Sequence, residues 1–89
     1  MTIGKDDTVN VTGKRTTQIG KDEQLEVGKR LLVSAADEIV LKSGQGSITI
    51  KKDGTITIKG KDVKIDASGK INGKASSDIV LKGSKVTQN

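Results

Sequence analysis

The chain contains no Phe, Trp, Tyr, His, Cys or Pro. Without aromatic rings a small domain lacks the bulky side chains that usually fill its core, and without cysteine no disulfide can staple it. Without His or Cys, nucleophilic catalysis of the Ser-His or Cys-His kind has neither base nor thiolate. No apolar run approaches the roughly 20 residues of a membrane-spanning helix, and no signal-peptide core is present, so the chain reads as soluble.

What remains is sparse but biased. Leu, Ile and Val supply 23 of 89 residues, and 18 of those are β-branched Ile or Val, the side chains that favour strands. A single small domain with so little apolar material and no staple is expected to complete its burial between chains, as an obligate oligomer. The net charge of +5 comes from Lys and Arg interleaved with Asp and Glu, a pattern of solvated faces with, at most, weak attraction to an anionic envelope surface. A nucleic-acid partner is not expected, since no aromatic platform exists for stacking bases and the cations form no uninterrupted stripe.

The stretch SITIKKDGTITIKGKD, Ser47 to Asp62, repeats itself after eight residues. Pairs of small or apolar residues at i and i+2, which in a strand share a face, carry the same period along the chain. They are Met1/Ile3, Val9/Val11, Thr17/Ile19, Leu25/Val27, Val33/Ala35, Leu41/Ser43, Ile48/Ile50, Ile56/Ile58, Val63/Ile65, Ile71/Gly73 and Ile79/Leu81, in steps of eight residues with two steps of seven. AADEIVLKSG (Ala35 to Gly44) returns as ASSDIVLKGS (Ala75 to Ser84) after 40 residues, or five octads. The register is loosest at Leu31, Leu32, Val33 and at Ile39, Val40, Leu41, where three consecutive apolar residues allow a slip that would turn them to the other face.

Period-2 alternation excludes a helix. Each octad therefore predicts a strand of five or six residues and a corner. Asp53-Gly54 suits either a hairpin turn or a solenoid corner, and Gly44-Gln45-Gly46 is a matter of backbone geometry rather than ligand approach. Eight residues per step, with two small inward side chains, fit one side of a narrow triangular prism to which three chains each contribute a strand per level. A monomeric β-solenoid usually needs about 20 residues or more per turn. The expected fold is thus all-β: a homotrimeric, intertwined, triple-stranded parallel β-helix, with residues 1–89 as one needle domain. Its inward residues would be Val9, Val11, Ile19, Leu25, Val27, Val33, Leu41, Ile48, Ile50, Ile56, Ile58, Val63, Ile65, Ile71, Ile79 and Leu81. With strands about 4.8 Å apart and one level per octad, the rod would be on the order of 50 Å long.

The run from Ile48 to Asn89, with its KKDGTITIKGKD, SGKI and KASSDIVLKGSKVTQN elements, closely resembles the C-terminal β-helix of VgrG, the valine-glycine-repeat spike of bacterial type VI secretion systems. The earlier Val-x-Val-x-Gly at Val9 to Gly13 and Leu-x-Val-Gly at Leu25 to Gly28 are similar to its more degenerate repeats. The resemblance implies a structural, membrane-puncturing needle assembled in the bacterial cytoplasm and injected into a target envelope. It also implies a blunt C-terminal end that docks a PAAR-type tip protein or effector through Gly83, Ser84, Lys85, Val86, Thr87, Gln88 and Asn89. The modules that would join such a needle to the secretion tube lie upstream and are not in this sequence. Some related phage spikes close their apex with metal-bound histidines, which a chain lacking His and Cys is not expected to build; a separate tip partner is expected instead.

No catalytic residue, cofactor or metal is expected. The carboxylate pairs Asp6/Asp7, Asp22/Glu23 and Asp37/Glu38 are adjacent, so in a strand they face opposite sides and suit solvated corners better than acid/base work. Lys51-Lys52-Asp53-Gly54 lacks the spacing of a phosphate-cradling loop. Two other readings share the period: the needle of a contractile phage tail, and a monomeric β-solenoid that binds polyanions or glycans.

Overall fold

A computed structural model of the chain describes residues 4–88. The pair Met1/Ile3 and the last docking residue, Asn89, lie outside the described residues. The chain divides into two units, Met1–Val33 and Ser34–Asn89. Within the described residues the fold is all-β, with no helix and three strands: β1 (Glu38–Ser43), β2 (Gly46–Lys51) and β3 (Ile56–Lys59), in the order β1-β2-β3.

The eight-residue period is written in the backbone. In the first unit the chain bends at residues 4–5, 12–13, 20–21 and 28–29; in the second it bends or turns at 36–37, 44–45, 52–53, 61–62, 68–69, 76–77 and 84. These corners are built largely from Gly, Asp and Ser, the residues that accept turn backbones at least cost. Every inward pair of the sequence analysis from Val9/Val11 onward falls in a segment between two such corners.

Among the described residues strand pairing occurs only in the second unit, and it is antiparallel. β1 pairs with β2 through Ile39↔Ile50, Val40↔Thr49 and Leu41↔Ile48, and β2 pairs with β3 through Ile48↔Ile58, Thr49↔Thr57 and Ile50↔Ile56. This differs from the parallel pairing expected of the octads, and the reason is local. A lone chain can satisfy a strand only with its own neighbour, and the shortest closure between consecutive strands is a hairpin.

Two turns make that closure possible. Gly44-Gln45 joins β1 to β2, with Gly44 at φ 54 and no positive φ at any described residue other than glycine, the pattern of a two-residue turn with glycine in its first central place. Lys52-Asp53-Gly54 joins β2 to β3. There the Gly54 amide donates to the Lys51 carbonyl at 3.0 Å, the Lys51 amide donates to the Thr55 carbonyl at 3.0 Å, and Gly54 takes φ 95, as in a three-residue loop that ends in a glycine bulge. The Asp53 carboxylate accepts a hydrogen bond from the Thr55 amide at 3.0 Å, an Asx contact that holds the loop.

Candidate assembly face

Alternation along each strand and the pairing register together sort the sheet's side chains by chemistry. Ile39 and Leu41 on β1, Ile48 and Ile50 on β2, and Ile56 and Ile58 on β3 share one face. The other face carries Glu38, Val40, Lys42, Ser47, Thr49, Lys51, Thr57 and Lys59. Five of the expected inward residues, Leu41, Ile48, Ile50, Ile56 and Ile58, are therefore brought together. The sixth member, Ile39, falls outside the expected inward set, in which Leu41 pairs with Ser43. The signal was present in the 40-residue echo, which sets Ile39 and Leu41 against the Ile79/Leu81 pair.

The apolar face is uncovered. Ile48 and Ile50 on the central strand keep 40% and 39% of their surface exposed, while Leu41, Ile56 and Ile58 on the flanking strands keep 62–63%. The remaining expected inward residues are exposed as well: Val9, Val11, Ile19, Leu25, Val27 and Val33 in the first unit, and Val63, Ile65, Ile71, Ile79 and Leu81 in the second. Among the described residues no side chain, apolar or polar, is buried. The chain exposes 10080 Å², whereas a globular monomer of this mass would expose about 5,000 Å² and its unfolded chain about 13,500 Å². About six-tenths of the surface that folding ordinarily hides is still in water, so the described residues form no core of their own.

The backbone shows the same incompleteness. Among the described residues, backbone hydrogen bonds run only between Asp37 and Lys59. The outer edges of β1 and β3 carry a strand's unpaired donors and acceptors, a template for a further strand.

Electrostatics add little cohesion. Lys52 Nζ lies 3.9 Å from Asp37 Oδ1, with side chains 74% and 86% exposed, a pair worth about 0–1 kcal/mol. The Asp53 carboxyl is held below its ordinary value, first by the Thr55 amide and next by the Thr55 hydroxyl. At one end of the sheet, Lys42, Lys59 and Lys61 line an open cleft with Gly44, Gln45, Ser47 and Gly60.

The expected docking end lies in the second unit. It bends at Ser84, and Gly83 to Gln88 are exposed, with Val86 its one large apolar side chain. Comparison with protein-family models, with curated proteins and with solved structures finds no match to this chain.

Proposed function

We propose that this chain is the needle of a type VI secretion spike: three copies intertwine into a triple-stranded parallel β-helix whose C-terminal end carries a PAAR-type tip protein or effector. The observation that carries this reading is the run of backbone corners at eight-residue spacing, each segment between them presenting its apolar pair to water. Such a chain is a set of uncovered prism sides in want of the other sides. Three chains expose about 30,000 Å² between them, against about 11,000 Å² for a globular protein of three times the mass. Even a thin rod, which hides less than a sphere, removes a large part of that difference. Strength against force would come from many hydrogen bonds across intertwined chains loaded together in shear.

In this reading the protein is mechanical, with no catalytic step. Gly83 to Asn89 form the docking end, attachment to the tube belongs to modules outside this sequence, and the net charge of +5 per chain eases approach to an anionic envelope.

The test is the mass in solution by size-exclusion chromatography with light scattering, concentration being taken from refractive index because Trp and Tyr are absent. A mass three times the 9.3 kDa of one chain, with an elongated profile, is expected. Deleting residues 83–89 should then leave the trimer and abolish capture of a PAAR-type protein. A 9.3 kDa monomer at all concentrations would refute the needle and return the solenoid reading.

A further inference from the structure

The central strand β2 has its backbone engaged on both sides, by β1 and by β3. A strand so placed has no donors or acceptors left for a strand of another chain. The intertwined helix proposed above needs those same groups for pairing between chains. The two pairings are mutually exclusive over Glu38–Lys59, yet both keep the same alternation of faces.

The sequence marks this segment off from the rest. Seven of the eleven glycines, Gly4, Gly13, Gly20, Gly28, Gly60, Gly69 and Gly73, are followed by Lys. The other four break that rule, three of them in the paired segment, Gly44-Gln45, Gly46-Ser47 and Gly54-Thr55, and the fourth near the C-terminal end, Gly83-Ser84. Two of them take the positive φ that hairpin loops demand, and Asp53 adds the Asx contact to Thr55. Hairpin-closing chemistry is thus concentrated where the pairing is found.

We infer that the β1-β2-β3 meander is a holding state of the single chain, which must open before the strands of three chains can intertwine. The inference rests on the trimeric reading and adds a regulation to it. While closed, the meander occupies both sides of β2 and withholds the middle of the chain from partners. Its opening is a step within one chain, so the rate of trimer formation should level off as protein concentration rises instead of climbing with it.

The chain has no cysteine, so a pair can be introduced cleanly. Val40 and Thr49 stand opposite each other on the polar face, and directly opposed residues of an antiparallel pair have Cα atoms about 4.5–5.5 Å apart, within disulfide reach. The full chain carrying Val40→Cys and Thr49→Cys is unfolded, refolded oxidised or reduced, and followed by light scattering. The oxidised form should remain at monomer mass, and adding reductant should release it to trimers. Oxidised chains that form trimers as fast as reduced ones would overturn the inference while leaving the trimer in place. Wild-type chains that never leave monomer mass would instead refute the trimeric reading itself.

Asp53→Ala supplies an independent arm, because it loosens the β2-β3 loop without touching the apolar face. It should speed trimer formation about twofold or more, as loss of one hydrogen bond allows. An unchanged or slower rate would count against a holding role.

Discussion

Replacing Ile58 by Asp separates the face of one chain from the core of an assembly. In the single chain Ile58 is 62% exposed and stands opposite Ile48, so the substitution removes one cross-strand apolar pair, worth about 0.2–1 kcal/mol. In a trimeric prism it acts three times at one level. Full burial of an isoleucine is worth about 1.5–3 kcal/mol, and with most of that still to be gained on assembly, three chains forfeit about 3–6 kcal/mol. Each carboxylate taken from water without a partner costs several kcal/mol more. The sum exceeds about 10 kcal/mol, or about seven orders of magnitude in the association constant. Light scattering should therefore report monomers for Ile58→Asp, whereas Lys59→Asp, on the opposite face, should leave the trimer intact. Burial raises a carboxyl's pKa, so the penalty is present above the ordinary carboxylate value and fades as pH falls and the introduced acid is neutralised; partial recovery of the Ile58→Asp trimer near pH 3 is expected. Normal trimers of Ile58→Asp at neutral pH would refute the inward placement of Ile58 in the assembly.

The period of the chain was legible in its sequence because two signals repeat together, an apolar pair at i and i+2 and a turn residue shortly after it. Both reappear in the backbone as corners spaced by eight residues with one step of nine and one of seven. The register at Ile39, Val40 and Leu41 was not legible from the pairs alone, since three consecutive apolar residues satisfy either face. The Gly44-Gln45 turn settles it: a two-residue loop fixes Ser43 opposite Gly46 and so carries Ile39 to Ile50 and Leu41 to Ile48. Direction of pairing was hidden for a different reason. Alternation with period 2 is the same in parallel and antiparallel sheets, and only corner geometry distinguishes a chain that turns back from one that continues. Asp53-Gly54 carried that information, and in the structure its loop turns the strand back.

Two further outcomes follow from local geometry. Lys52→Ala should change the stability of the β-sheet by no more than about 1 kcal/mol, because the Lys52–Asp37 pair is solvated on both sides; a larger loss in hydrogen-exchange protection of β2 would mean that the pair is a true clasp. The Asp53 loop should respond to acid. Its carboxyl is held below the ordinary value by the Thr55 amide and then by the Thr55 hydroxyl, so the folded hairpin favours the ionised form. A depressed carboxyl contributes stability that is fully present above the unfolded pKa, about 3.9, and is lost as pH falls through the folded value. The loop should thus be unaffected between pH 5 and pH 7 and loosen only on acidification below the ordinary aspartate range. The Thr55 amide resonance should report the change, moving upfield as its acceptor is protonated. Asp53→Asn keeps an acceptor oxygen but cannot titrate, so its Thr55 resonance should stay still over the same range. A Thr55 shift in that variant equal to the wild type's would place the acid sensitivity elsewhere in the sheet and remove Asp53 as the residue that holds the turn.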